Sequence, residues 1–120
     1  MNDIEMSLEE LRAESRAWEK DFNELMSYQN AGMELEKRGL HEKAAEQYEQ
    51  AVSFGRSSSR MRTGNYYHSI CRLVIVYRKL RRYDDEIRVI RQALSEDMPD
   101  EEKKKLLSRL DKATTLKGKQ

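Results

Sequence analysis

A mostly apolar periodicity runs along the first part of the chain through Ile4, Leu8, Leu11, Ser15, Trp18, Phe22, Leu25 and Gln29, separated alternately by four and three positions. That spacing draws one continuous seam along a helix, and a seam of this kind needs another surface to cover it. Ser7 followed by Glu10 has capping-box spacing, which predicts a helix start near residue 8. No Pro or Gly intervenes before Gly32, so the helix either runs unbroken to about Lys37, spanning roughly 45 Å, or breaks near Asp21–Asn23.

Lys37-Arg38-Gly39 places bases in a last turn and a glycine where a left-handed cap is easiest. A second helix is predicted from about His41 to Phe54, with Ala44, Ala45, Tyr48, Ala51 and Val52 inward. Gly55 to Gly64 is polar, rich in small residues and bounded by glycines, which predicts a loop leading into the next helix. That helix, about Thr63 to Leu80, carries Tyr66, Tyr67, Ile70, Leu73, Val74 and Tyr77 on one broad face, and a fourth, about Tyr83 to Glu96, carries Ile87, Ile90, Ala93 and Leu94. Asp97 as N-cap with Pro99 in the first turn opens a fifth, using Leu106, Leu107, Leu110 and Ala113 before a Lys/Gly tail frays.

Charged and hydrophobic residues each make up 38% of the 120 residues, with one Pro and five Gly, which suits helices with solvated outer faces and argues against an all-β fold. The length fits a single domain. The net charge of +1 conceals blocks: residues 1–25 carry eight acids against three bases, 56–82 eight bases and no acid, and 83–102 eight acids against two bases. Such alternation is satisfied either by neighbouring helices pairing with one another or by an anion-binding surface. A single cysteine, Cys71, excludes an intrachain disulfide and fits a reducing compartment. The first residues lack a basic region followed by an apolar core, and no apolar run approaches about 18 residues, so a cytoplasmic protein without a membrane span is expected.

Self-similarity organises the middle of the chain. Tyr28, Ala31, Gly32, Leu35 and Gly39, followed by Ala44, Tyr48 and Ala51, put small residues where two antiparallel helices approach and an aromatic in the wedge beside them. This pattern resembles the tetratricopeptide repeat. A degraded second copy uses Ile70, Leu73, Val74 and Tyr77, then Ile90 and Ala93, with Glu86 where a small residue is usual; Ala51 and Ala93 stand 42 residues apart, which puts an insertion in the 55–62 loop. The resemblance implies an all-α fold of antiparallel helix-turn-helix repeats in a right-handed superhelix, with N- and C-terminal capping helices. One domain then divides into an extension (1–24), a first repeat (25–56), a loop and helix start (57–66), a second repeat (67–98), a capping helix (99–114) and a frayed tail (115–120). Two repeats alone bury too little, so the flanking helices belong to the fold.

No set of residues converges for catalysis, no cofactor or metal motif is present, and a non-enzymatic protein is expected. His68 and Cys71 share a helix face but lack a third group. The resemblance implies a partner-binding groove along the first helix of each pair, which transfers onto Met26, Gln29, Met33, Glu36 and Lys37, then His68, Cys71, Arg72, Ile75, Arg78 and Lys79. The bases cluster in the second set, and the resemblance implies an adaptor or scaffold for a protein or peptide partner, with an acidic one favoured by those bases. An alternative is nucleic-acid association through Arg56, Arg60 and Arg62 beside Tyr66 and Tyr67. A further alternative is a homodimer formed through Leu8, Leu11, Trp18, Phe22 and Leu25.

Overall fold

A computed structural model describes the backbone of residues 3–120 and side chains from Ser7 onward. Five helices follow one another: α1 (Asp3–Lys37), α2 (His41–Ser57), α3 (Thr63–Lys79), α4 (Tyr83–Leu94) and α5 (Asp100–Gly118), with no strand among the described residues. Each helix packs on the next, and α1 also touches α3. The short connections after α1 and α3 fold each pair back on itself, as an αα-hairpin requires.

α1 is continuous, so the chain does not break at Asp21–Asn23. It also begins before Ser7, which therefore sits inside the helix and caps nothing; the Ser7–Glu10 spacing is met without marking a start. The folded body lies mainly against the second half of α1. Leu25 is fully buried and Phe22 packs on the core, whereas Leu8 and Leu11 are 47% and 65% exposed. The side chain of Ile4, the first member of the predicted seam, lies outside the described residues.

The turn ending α1 is a Schellman motif. Gly39 takes φ +76°, its N–H donates to Glu36, and the Leu40 N–H donates to the Leu35 carbonyl at 3.0 Å. The same turn recurs 42 residues on: Arg82 N–H donates to Tyr77 at 2.9 Å, Arg81 N–H donates to Arg78, and Arg81 holds φ 58°. A side chain in that region costs energy that glycine avoids. Arg81→Gly is therefore expected to raise the unfolding free energy by about 1 kcal/mol, read as a higher denaturant midpoint at unchanged slope. A lower midpoint would show that the Arg81 side chain contributes more than its backbone costs.

The core is built on close approaches. Tyr48, fully buried, lies on Gly32, where an added Cβ would stand 2.6 Å from its ring. Tyr66 lies on Gly55 in the same way, with Cγ 2.7 Å from such a Cβ. Gly55 is therefore a buried member of α2 and not the start of a loop; the helix runs on to Ser57, and only Ser58–Arg62 connects it to α3. The residues beyond the usual repeat length are accordingly shared between a longer helix and a short loop. At the C-terminus, Pro99 is the N-cap and Asp97 lies outside the helix, while α5 extends through the expected fray to Gly118. Leu107 is 50% exposed, so α5 holds the body mainly through Leu106, Leu110 and Ala113.

Candidate functional site

The charge blocks resolve into pairs that join helices. Three of them share one design, a tyrosine hydroxyl and an arginine meeting on a single carboxylate. Tyr48 (2.7 Å) and Arg72 (Nε 3.1 Å) meet on Glu36, Tyr77 (2.7 Å) and Arg88 (2.6 Å) on Glu49, and Tyr66 and Arg56 (2.6 Å) on Glu96. Each tyrosine places its ring in the core and its oxygen at the edge, where the acid needs a donor. The bases of residues 56–82 are thus largely committed to the protein's own acids.

That commitment changes the candidate loop contacts. Arg56 is tied to Glu96, and Arg60 reaches back to Glu14 at 2.8 Å and toward Asp21 at 3.8 Å, with Ser58 donating to Asp21 at 2.8 Å. The loop therefore fastens itself alongside α1. Of the three arginines expected in the loop, Arg56 lies in the last turn of α2, and Arg62 alone has no ion pair among the described residues. A nucleic-acid surface loses two of its three phosphate contacts.

The groove candidates divide in the same informative way. Met33, Glu36 and Lys37 of α1 and His68 and Arg72 of α3 line one concavity of about 280 Å³. Lys37, Met33 and His68 are exposed there, and Lys79 lies exposed on the same side of α3. The Arg72 guanidinium, together with the Tyr48 hydroxyl, holds the Glu36 carboxyl below its ordinary range against the opposing effect of burial, so Glu36 stays ionised. The pocket keeps Lys37 and Arg72 as its cationic lining, with Lys79 exposed about two turns further along α3.

Several transferred positions lie elsewhere, Gln29 and Arg78 among them. Gln29 is buried and accepts a hydrogen bond from Ser69 at 2.8 Å, pinning α1 to α3. Arg78 turns away from the pocket toward α4 and α5, where it meets Glu86 at 2.8 Å and the Arg109 carbonyl at 2.9 Å. Glu86 is fully buried and is also reached by Arg109 at 3.3 Å. Arg78 is therefore a structural residue, and residue spacing alone did not separate it from Arg72 because the two lie six positions apart on adjoining faces of α3.

A second concavity, about 230 Å³, opens on the other flank of α3 and was not foreseen from the sequence. Tyr67, Cys71, Val74 and Ile75 face Glu102, Lys105, Leu106 and Arg109 of α5 across it. The signal for it was the apolar Ile75 among helix-A contacts, but its other wall depends on where α5 docks. Tyr67 donates to Glu102 at 2.6 Å at the pocket's end. His68 and Cys71 consequently serve opposite flanks of α3, and burial pushes the Cys71 thiol up, away from the thiolate that a nucleophile needs. No three potential metal ligands cluster among the described residues.

The seam proposed for self-association also divides. Leu25 is interior and Phe22 half-buried, with Trp18 stacked on Phe22 at 5.0 Å between ring centres. Leu8, Leu11 and Trp18 remain uncovered on the projecting half of α1. No described helix is long and apolar enough to cross a membrane.

Comparison with known proteins matches residues 27–54 to the tetratricopeptide repeat family model. Searches of curated proteins and of solved structures returned no match. The matched segment spans the last third of α1 and most of α2, the pair closed by Gly32, Tyr48 and the Gly39 turn. Residues 27–54 are thus similar to one tetratricopeptide repeat, and the capping turn and helix pairing of that segment recur in α3 and α4 of an all-α helical-repeat fold.

Proposed function

We propose that the protein is a non-catalytic scaffold that captures a partner protein in the concavity between α1 and α3. The observation that carries this reading is the convergence of Met33, Lys37, His68 and Arg72, drawn from two helices of different repeats, on one exposed pocket whose acid, Glu36, is already engaged. Met33 set among Lys37, His68 and Arg72 suits an acidic segment better than a basic one. The family supports a protein-binding role in general, and the residues of this pocket supply its particular chemistry.

Lys37→Glu combined with Lys79→Glu reverses the two cations that are not committed to internal pairs, and both sites are exposed enough to leave folding intact. Proteins retained by the unmodified bait in quantitative affinity purification are expected to fall about tenfold or more with this variant, the loss that follows when about 1.4 kcal/mol of binding free energy is removed. Arg62→Glu should retain them. If the same proteins persist on the groove variant and disappear with Arg62→Glu, the binding surface is the loop.

A further inference from the structure

The seam of α1 runs from a covered end to an uncovered one. Leu25 and Gln29 are buried in the folded body, Phe22 is half-buried at its edge, and Trp18, Leu11 and Leu8 carry the same line outward, exposed. Trp18 is already ordered by its stack on Phe22. On one flank of the seam stand Glu14 and Asp21, held by Arg60 and Ser58; on the other stand the exposed Arg12 and Glu19. We infer that the uncovered seam is closed by the same seam of a second copy of this chain, running antiparallel, with Trp18 opposite Ser15 of the other copy and Arg12 opposite its Glu19.

Burial and charge select the direction. A parallel partner would set Leu25 against Leu25, and each is already buried in its own body, so the two bodies would compete for one stretch of seam. It would also bring Glu14 of each copy beside Glu19 of the other, the flanking positions that meet across a parallel coiled coil. An antiparallel partner carries its body to the far end. Size and charge then set the register together. With Trp18 facing Ser15, Leu11 faces Phe22, and Leu8 arrives where the other copy's seam passes under its body at Leu25. The largest side chain of the seam meets the smallest, and the exposed apolar ones are covered. The two-fold symmetry of the contact forms the Arg12–Glu19 pair twice. Sliding by one heptad would set Arg12 against Arg12 instead. Across the other flank Glu14 comes opposite Asp21, and Arg60 of each copy, 2.8 Å from its own Glu14 and 3.8 Å from its own Asp21, supplies the cation between them. A contact along 8–25 is only about 27 Å long, so the dimer dissociates on dilution.

Sedimentation equilibrium on the full chain tests this, with Trp18, the single tryptophan, as an internal reporter. The mass is expected to rise from 14.2 kDa toward twice that value with concentration, and the Trp18 emission to shift to the blue in step. Leu11→Asp should weaken association about tenfold or more, with Leu8→Asp as a second variant should circular dichroism show the first to disturb the helix. At low salt Arg12→Glu and Glu19→Arg should each weaken it about fivefold, and an equal mixture of those two variants should associate as tightly as the unmodified chain. Lys37→Glu with Lys79→Glu should leave it unchanged, which keeps the outcome separate from that of the α1–α3 groove. A monomeric mass from about 1 to about 300 μM overturns the inference, whether or not another protein co-purifies through Leu11. Association that leaves the Trp18 emission unmoved also overturns it, because the contact then lies elsewhere. Association strengthened by Glu19→Arg overturns the antiparallel arrangement, since that change relieves the Glu14–Glu19 repulsion of a parallel pair.

Discussion

Replacing Glu86 with alanine is expected to lower the unfolding free energy by about 3 kcal/mol, even though the equivalent residue of the first repeat, Ala44, is itself an alanine. Glu86 is fully buried, and its carboxylate receives Arg78 at 2.8 Å and Arg109 at 3.3 Å. Removing the acid leaves two guanidinium groups facing each other in a half-buried space, where neither has an anion to answer it. The arginine side chains are 25% and 30% exposed, so water relieves part of the cost and the effect falls toward the lower end of the range for a broken buried pair. A triple variant, Glu86→Ala with Arg78→Leu and Arg109→Leu, removes all three charges together and should recover most of the loss. Denaturant unfolding followed by circular dichroism reads both. A single-variant loss below about 1 kcal/mol would mean that the carboxylate does not hold α3, α4 and α5 together.

Tyr48→Ala is expected to cost about 4 kcal/mol, the range for deleting a buried aromatic ring. The ring is fully buried and fills the space that Gly32 leaves open, and its hydroxyl donates to Glu36 at 2.7 Å. Gly32→Ala acts on the same contact from the other side. Alanine improves helix propensity by about 1 kcal/mol, but its Cβ would sit 2.6 Å from the Tyr48 ring, and the strain should exceed that gain. Because each residue exists in the shape of the other, their effects should not add. In the Tyr48→Ala background the Gly32→Ala change should become neutral or stabilising, a coupling of at least about 1 kcal/mol in a double-mutant cycle. Additive effects would indicate that the ring moves aside freely. The same contact links the core to the candidate groove, since Tyr48 and Arg72 together set the position of Glu36 on its wall.

Much of the architecture was legible because it depends on local spacing. The inward faces of α2 and α3 follow from residues three and four apart, and all of Ala44, Ala45, Tyr48, Ala51 and Val52 are buried as expected. Glycine proved harder to interpret. Gly39 ends a helix, but Gly32 and Gly55 lie within helices because Tyr48 and Tyr66 occupy the place of a side chain. The two uses look alike in a sequence, since one answers to the residue's own φ and the other to a ring contributed from another helix. The Ser7–Glu10 spacing and the frayed tail were misread for a related reason: helix ends respond to the residues beyond a motif as well as to the motif.

The site was legible as a list and illegible as an arrangement. Met33, Lys37, His68 and Arg72 do meet in one pocket, whereas Ile75 lines another, Arg78 belongs to the buried Glu86 cluster, and Arg56 and Arg60 secure the loop. Periodicity alone determined that the chain is helical, where most of its helices lie and which faces turn inward, because helical spacing is a property of neighbours. Only the tertiary structure decided which charges are free to meet a partner. The acids that bind Arg72, Arg56 and Arg60 lie 36, 40 and 46 residues away, beyond the reach of any helical repeat. An ion pair depends on which faces dock, and docking is set by the shapes of whole helices.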